Sequence, residues 1–286
     1  MDRLDRAELP AAIDEERGDV ARRIRRALND RLPADTPETT PRVGAAERLQ
    51  EAIERLVQDV DGFLAREAIA ASLTADERRE LLRGMMLTRA TDNQLKAFFL
   101  GGDVRYGGVS FQGKGFRSLG QEAIYAAPIR LRRGREYRDA RGAWHGDMVA
   151  PLIRDAGAAL AMDPSAETVR MILNAQMGKA GPPMNGKDLH IGDLSLGIVP
   201  AAAPLSISSL TVAGIALGFA RRGEDRVALA FIGEGGSSLG EWHEAINLCA
   251  ARRLPAVFCV QNNQTALSTP VAEQSAVRVF ADKADG

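Results

Sequence analysis

The clearest pattern of hydrophobic and polar positions lies at residues 226–261. Two apolar runs, 227–232 and 256–260, flank a glycine-rich turn and a segment whose apolar residues have helical spacing. Those residues form one stripe on the segment: Trp242, Ala245, Ile246, Cys249 and Ala250. The order of strand, turn, helix and strand predicts a parallel βαβ unit, since parallel strands require a crossover connection. We expect both strands and the helix to be buried.

Charge and helical spacing divide the N-terminal part of the chain. Residues 1–31 carry eight arginines and eight acidic residues, a composition that predicts a solvated helix. Residues 33–41 hold three prolines and three threonines and should form an extended linker. A second helix is expected over residues 45–71. The predicted organisation is a helical and linker extension (1–42), a helical lead-in (43–72) and a main domain (73–286).

The main domain is expected to begin with a long helix. Thr74, followed three residues later by Glu77, fits a capping box. Large apolar residues then recur and predict a long buried face: Leu81, Leu82, Met85, Met86, Leu95, Phe98 and Phe99. Glycines crowd residues 101–120, which indicates a loop, and another helix is expected from about Gln121.

A charge-free segment at residues 194–220 raises the alternative of a membrane-spanning helix. Pro200, Pro204 and several hydroxyl-bearing residues lie in its first two thirds, where a lipid-exposed helix would lose hydrogen bonds that it cannot replace. We therefore favour a buried loop at residues 198–205 that leads into a helix from about Ser208, and no membrane span.

Composition narrows the classes of function. The 286 residues carry 37 basic and 38 acidic side chains, a formal net charge of -1, which argues against binding to nucleic acid or anionic membranes. Cys249 and Cys259 lie in apolar surroundings, which indicates core residues in a reducing compartment rather than a disulfide framework. The first residues lack the apolar stretch of a secretory signal, so we expect a cytoplasmic protein.

Two glycine-rich segments are candidates for binding phosphate groups. Residues 108–114 match most of a Walker A motif, but Gly115 stands where a hydroxyl-bearing residue should follow, and no apolar strand precedes them. The stronger candidate is the turn at 233–236, which lies between the predicted strand and helix. Its glycines would let backbone N–H groups approach a phosphate.

Glu234 in this turn should share a crevice with Asn262 and Asn263. In a right-handed βαβ unit the carboxyl ends of both strands lie at the same edge of the sheet, and each of these residues follows one of the two strands. Carboxylate, amide and carbonyl oxygens are the ligands that magnesium prefers. The sequence therefore predicts a magnesium and phosphate site at this edge.

These residues resemble the signature of thiamine diphosphate enzymes. Gly233-Glu234-Gly235 and, after 26 residues, Asn262-Asn263 correspond to its Gly-Asp-Gly and paired asparagines. The stretch GEGGSSLGEWHEAINLCAARRLPAVFCVQNNQTALSTPVAEQ is similar to the alpha subunit of 2-oxo acid dehydrogenases, most closely the branched-chain (2-oxoisovalerate) type. Upstream, LTADERRELLRGMMLTRATDNQLKAFF, SLGQEAI, EYRD and GKDLHIG resemble it in the same order, from roughly Leu73 onward. The resemblance implies an α/β fold, a doubly wound parallel sheet with helices on both faces (the thiamine diphosphate-binding fold), preceded by an N-terminal helical extension.

The resemblance also implies a set of site residues. Magnesium would be bound by Glu234, Asn263 and the backbone carbonyl of Thr265, and would bridge to the cofactor diphosphate. The remaining members would contact the cofactor or line the site: Tyr137 and Arg138 at the diphosphate, Gly235 and Gly236 through their close backbone, Leu205 at the aminopyrimidine ring, and His190 as the catalytic, site-lining residue. Four positions depart from the family: Thr265 stands where an aromatic residue is common, Gln261 replaces an arginine, and Ala202 and Ala203 replace serines. The substitutions at 202, 203 and 261 leave open whether a structural potassium site and part of the diphosphate contact are kept.

The implied function is oxidative decarboxylation of a 2-oxo acid with acyl transfer to a lipoyl group. It requires thiamine diphosphate and Mg²⁺, a beta-type subunit or fused beta region, and a lipoyl-bearing acyltransferase. Two alternatives stay open: the alpha subunit of a pyruvate or acetoin dehydrogenase, and a non-catalytic subunit with an assembly or binding role. Because the family continues well beyond the paired asparagines, we expect a truncated alpha region or the front of a longer fused chain.

Overall fold

The computed structural model describes residues 9–29, 31–33, 36–39, 41–102, 104–110, 117–277 and 279–284. The chain divides into two compact units, Met1–Arg78 and Arg79–Gly286. Within the described ranges, no helix is both long enough and apolar enough to cross a membrane. Residues 111–114 of the segment that resembled a Walker A motif, and Gly115 after it, lie outside the described residues.

The first unit is helical. Its helices are α1 (Leu9–Leu28), α2 (Ala45–Ser72) and the first turn of α3 (Ala75–Leu100). No described residue of α1 is buried, which agrees with the predicted solvated helix, whereas α2 buries Ile53, Val57 and Ala68. Two-point ion pairs join α1 to α2: Arg17 with Asp61, and Arg25 with Glu54.

The predicted capping box at the start of α3 is confirmed. The Thr74 backbone N–H donates to Glu77 Oε2 over 2.7 Å, and the Glu77 N–H donates to Thr74 Oγ1 over 3.1 Å. These two bonds satisfy backbone donors that a helix start leaves unpaired.

The second unit is built on a parallel sheet. A hairpin of β1 (Arg105–Tyr106) and β2 (Val109–Ser110) comes first. The sheet has the order β3–β4–β5, with β3 (Met148–Ala150), β4 (Ala228–Gly233) and β5 (Ala256–Gln261). Its helices are α4 (Ala156–Met162), α5 (Ala166–Gln176), α6 (Ile207–Arg222) and α7 (Gly240–Arg252). A second hairpin, β6 (Thr265–Ala266) with β7 (Thr269–Pro270), and α8 (Val271–Gln274) follow.

Helices cover both faces of the sheet. On one face Leu229 and Phe231 of β4 pack in a core with α4 and α5, which contribute Leu160 and Ile172. On the other face the alternate residues of β4 pack against Val212, Ala216 and Phe219 of α6, and α6 in turn packs against α7. The alternation follows from the two-residue period of a strand. The predicted α/β class, with N-terminal helices and a parallel sheet flanked by helices, is confirmed.

The predicted buried face of α3 is wrong in part. Leu95 is buried, but Leu82 and Met86 are 61% and 64% exposed. The buried positions of this helix are mostly small or polar: Gly84, Thr88, Thr91, Asp92 and Leu95. The aromatic ring of Tyr125 lies against Gly84, where an added Cβ would overlap it. Close packing on a glycine, rather than hydropathy, therefore selects the inner face.

Three further expectations are corrected. Five of the six residues of β4 are buried, but β5 is half-buried, and Val257 is 51% exposed. The helix expected from Gln121 is a short 3₁₀ helix, Glu122–Ala126. The charge-free segment does lead into α6, which begins at Ile207, but only the first part of the preceding loop is buried, since Leu205 is 57% exposed.

Candidate functional site

The candidate site lies at the carboxyl edge of the parallel sheet. Gly233 at the end of β4 is in register with Gln261 at the end of β5. The Glu234 N–H donates to the Gln261 carbonyl oxygen over 3.1 Å, which continues the ladder past the strand. Because both strands end at this level, Glu234 and the paired asparagines after Gln261 come to one edge, as the βαβ topology predicts.

Glu234 has an environment that suits a cation ligand. The residue is only 2% exposed, and its Oε1 atom is buried without a hydrogen-bond partner among the described residues. A buried, unpaired carboxylate oxygen is costly, and natural structures normally satisfy it with a donor, a water or a metal ion. The carboxylate therefore fits the role of a magnesium ligand on its own geometry.

The glycine turn is held against the loop that carries the other predicted ligands. An added Cβ at Gly235 would overlap the Cβ of Ala266 in β6, and one at Gly236 would come within 2.7 Å of the Ile232 side chain. Ala266 directly follows Thr265, so the loop from Asn263 to β6 lies beside Glu234. Only a residue without a side chain fits at Gly235.

Asn263 and Thr265 are both exposed at this edge, and the Asn263 Oδ1 atom accepts a hydrogen bond from the Thr265 N–H over 3.1 Å. That bond fixes the loop and leaves the second lone pair of Oδ1 available. No group of three His, Cys, Asp or Glu side chains in the described part of the chain is arranged to hold a metal. The set predicted here has one carboxylate and otherwise uses amide and carbonyl oxygens, which are hard ligands suited to magnesium.

Leu205 is brought to the same turn from the charge-free segment. The next residue, Ser206, is fully buried, and its hydroxyl donates to the Gly236 carbonyl oxygen over 2.8 Å. Leu205 is mostly exposed beside it. An exposed leucine on a polar edge is available to contact an aromatic ring of a bound ligand.

Asp155 is a site residue that the sequence analysis missed. It follows β3 at the same edge and is fully buried. Its Oδ2 atom accepts hydrogen bonds from the Leu152 N–H and from Gln261 Nε2, both over 2.7 Å, whereas Oδ1 has no partner among the described residues. Burial raises the pKa of Asp155 to about 7. Gln261, which departs from the family pattern, thus has a definite partner here.

Arg154 lies next to Asp155 and is exposed. The sequence analysis missed both Asp155 and Arg154, because β3 has only three residues and was not predicted as a strand. A usable signal was the mostly apolar run at 148–153, followed by Arg154, Asp155 and an alanine-rich helix, α4. Recognising this strand would have placed both residues at the site edge.

His190 is held by its own acidic neighbour. One ring nitrogen, Nδ1, lies 2.6 Å from Asp188 Oδ1. Burial alone would raise the pKa of Asp188, but the hydrogen bonds with His190 lower it below its usual value. Asp193 and Ile198 form an antiparallel bridge, so the backbone before Asp193 runs antiparallel to the backbone after Ile198, and Gly192 lies against Pro200. This arrangement places His190 beyond Pro200, on the side of the carboxyl edge.

The structure does not bring Tyr137 and Arg138 to Glu234. Tyr137 packs beside Trp144, with ring centroids 6.3 Å apart, and Trp144 Nε1 donates to the Asp147 carbonyl oxygen immediately before β3. Both residues therefore lie at the amino edge of the sheet, opposite the candidate site. Arg138 instead lines a cleft of about 380 Å³ that it shares with Arg135, Arg170 and Asn174.

Comparison with known proteins gives one family match. Residues 140–286 match the family model described as Dehydrogenase E1 component. The pyruvate dehydrogenase E1 component subunit alpha of Bacillus subtilis (strain 168) is 30% identical over 237 residues, 78% of this chain and 52% of that protein. The 2-oxoisovalerate dehydrogenase subunit alpha of the same organism is 29% identical over 219 residues, 76% of this chain and 60% of that protein. The chain spans about half the length of the curated relatives it matches.

Proposed function

We propose that this chain, which belongs to the dehydrogenase E1 component family, is the cofactor-binding, alpha-type part of a 2-oxo acid dehydrogenase. The observation that carries this proposal is the buried Glu234 carboxylate, whose Oε1 atom has no hydrogen-bond partner in the described part of the chain, near Asn263 and Thr265 at the carboxyl edge of the sheet. An ordinary turn between a strand and a helix gives no reason to bury a carboxylate without a partner.

Glu234, the Asn263 amide and the Thr265 carbonyl would hold Mg²⁺ at this edge. One carboxylate leaves the ion most of its positive charge, and magnesium commonly keeps open positions for phosphate oxygens. Gly235 and Gly236 bring backbone close to the diphosphate of thiamine diphosphate. Leu205 would pack against the aminopyrimidine ring.

We assign the cationic contact with the diphosphate to Arg154 rather than to Tyr137 and Arg138. Arg154 is exposed at the edge that carries Glu234, whereas Tyr137 and Arg138 belong to the opposite edge. A guanidinium can donate two parallel hydrogen bonds to a phosphate. His190, held by Asp188, is proposed to line the substrate side of the site.

When bound, thiamine diphosphate supplies the carbon nucleophile that makes decarboxylation of a 2-oxo acid possible. The residues of this chain orient that cofactor and exclude water from its diphosphate end. The rest of the site would come from a beta-type subunit or fused beta region, and the acyl group would pass to a lipoyl-bearing acyltransferase. We place the protein in the cytoplasm.

For the substrate we propose a branched-chain 2-oxo acid, with pyruvate as the alternative. Relatives named for the two substrates are almost equally similar to this chain, at 29% and 30% identity. The pocket would be shared with the partner, so the choice between the two acids rests on an assay.

The test is to co-express the chain with its genomic neighbour, purify the complex and measure 2-oxo acid-dependent reduction of an artificial electron acceptor. We expect activity only with both thiamine diphosphate and Mg²⁺ present, and a higher kcat/KM for 2-oxoisovalerate than for pyruvate. A higher kcat/KM for pyruvate would overturn the proposed substrate and leave the rest of the proposed function unchanged. A complex that binds neither the metal nor the cofactor would contradict the proposed function.

A further inference from the structure

We propose that Lys283 is a positioning residue for Glu234, acting through Ser237. The inference rests on the proposed function, because it assigns Lys283 the task of fixing the turn that presents the metal-binding carboxylate. Lys283 lies in the short 3₁₀ helix Phe280–Ala284, far along the chain from that turn.

Lys283 makes two hydrogen bonds to one residue of the glycine turn. Its Nζ atom donates to the Ser237 carbonyl oxygen over 3.1 Å and to Ser237 Oγ over 3.0 Å. The hydroxyl of Ser237 in turn donates to the Glu234 carbonyl oxygen over 2.6 Å, and the Ser237 N–H donates to the same oxygen over 3.3 Å. A continuous chain of bonds therefore joins the ammonium group to the backbone of Glu234.

The receiving end of this chain of bonds is shielded from water, and Lys283 itself is half-buried. Ser237 is fully buried, and Phe280, which anchors the 3₁₀ helix, is only 6% exposed. The Lys283 ammonium also lies 5.1 Å from the centre of the Phe280 ring. Charge-assisted hydrogen bonds are stronger than neutral ones, and more so where water is excluded. The contact can therefore hold the backbone position of Glu234.

The charge on Lys283 is otherwise uncompensated within the part of the chain described. The hydrogen-bond acceptors found there for its Nζ atom are the two neutral oxygens of Ser237, and burial lowers the pKa of Lys283. A partly buried ammonium directed only at neutral oxygens is costly. This cost is offset if the turn that Lys283 fixes has a function. On the proposed function, that turn presents the Glu234 carboxylate to the metal ion that binds the diphosphate.

The test measures Mn²⁺ affinity, by the electron paramagnetic resonance signal of free Mn²⁺, in the full chain with its co-purifying subunit and saturating thiamine diphosphate. We expect Lys283→Met to weaken Mn²⁺ binding about tenfold, the scale of one lost charge-assisted hydrogen bond. Lys283→Arg, which keeps the donors, should recover most of the affinity. Lys179→Met, at an exposed lysine, serves as the matched control and should bind as the wild type does.

A double-mutant cycle tests the route through Ser237. Ser237→Ala should also weaken Mn²⁺ binding, and Lys283→Met should add little in that background, because both changes break the same chain of bonds. If Lys283→Met does not fold, Ser237→Ala and Lys283→Arg decide the question, and wild-type affinity in Ser237→Ala would overturn the inference.

The same titration separates this inference from the proposed function. If the wild type binds Mn²⁺, Glu234→Gln does not and Lys283→Met binds like the wild type, the positioning role is wrong and the proposed function stands. If the wild type itself fails to bind Mn²⁺ with thiamine diphosphate, both are overturned.

Discussion

Two buried carboxylates give the site edge its chemical character at the residue scale. Glu234 and Asp155 are both almost completely buried, and each has one oxygen without a hydrogen-bond partner among the described residues. Asp155 differs because two donors, the Leu152 N–H and Gln261, bind its other oxygen. Such groups reduce the stability of the chain without its ligands, which is common where residues serve a binding site.

The pKa of Asp155, raised to about 7 by burial, makes folding stability depend on pH. The folded chain holds this proton above pH 4, where the unfolded chain releases it, so the free energy of unfolding falls as pH rises from about 4 to 7. We predict that Asp155→Asn removes this loss. As pH rises from 5 to 8, the free energy of unfolding of the variant should increase by roughly 2 to 3 kcal/mol relative to that of the wild type, measured by urea unfolding.

Asp225→Asn is a control for this experiment, because it also removes one aspartate but at a side chain that is 99% exposed. Parallel stability profiles for Asp155→Asn and the wild type, from pH 5 to pH 8, would show that Asp155 does not hold a proton in the folded chain.

At the scale of single elements, the glycine turn shows how backbone spacing builds the site. Gly233 and Gly235 lie two residues apart, yet an added Cβ meets nothing within 4 Å at Gly233 and overlaps Ala266 at Gly235. The two positions therefore separate the effect of losing a glycine from the effect of moving the adjacent loop.

We predict that Gly235→Ala weakens Mg²⁺-dependent binding of thiamine diphosphate by tenfold or more. The new methyl group must displace the loop that carries Asn263 and Thr265, and overpacking of this kind typically costs 1–3 kcal/mol. Gly233→Ala should bind within about twofold of the wild type, measured by quenching of intrinsic fluorescence. Equal losses in the two variants would mean that the loop position does not govern binding.

Some elements were predictable from sequence and others were not. The βαβ unit follows from two apolar runs and a helical stripe, and the topological rule then brings Glu234 and Asn263 to one edge. The inner face of α3 could not be predicted from hydropathy, because it depends on the Tyr125 ring that packs on Gly84. The buried Thr88 is tolerated there because its hydroxyl donates to the Gly84 carbonyl oxygen over 2.8 Å.

At the scale of the whole molecule, the sheet separates two chemically distinct edges. The carboxyl edge holds the glycine turn and Arg154, and the amino edge holds Tyr137 and Arg138. The short motif around Tyr137 resembled a diphosphate-binding sequence, but a motif carries no information on which edge it occupies. That information lies in β3, whose three residues give too short a pattern for a strand to be predicted.

The most direct test of the central claim is isothermal titration of thiamine diphosphate into the full chain with its co-purifying subunit, in Mg²⁺ and again in EDTA. We predict binding only with Mg²⁺, an affinity at least tenfold weaker in Glu234→Gln, and an unchanged affinity in Glu244→Gln, an exposed position on α7. Wild-type affinity in Glu234→Gln, or equal binding in EDTA, would contradict the claim that Glu234 holds the metal of this site.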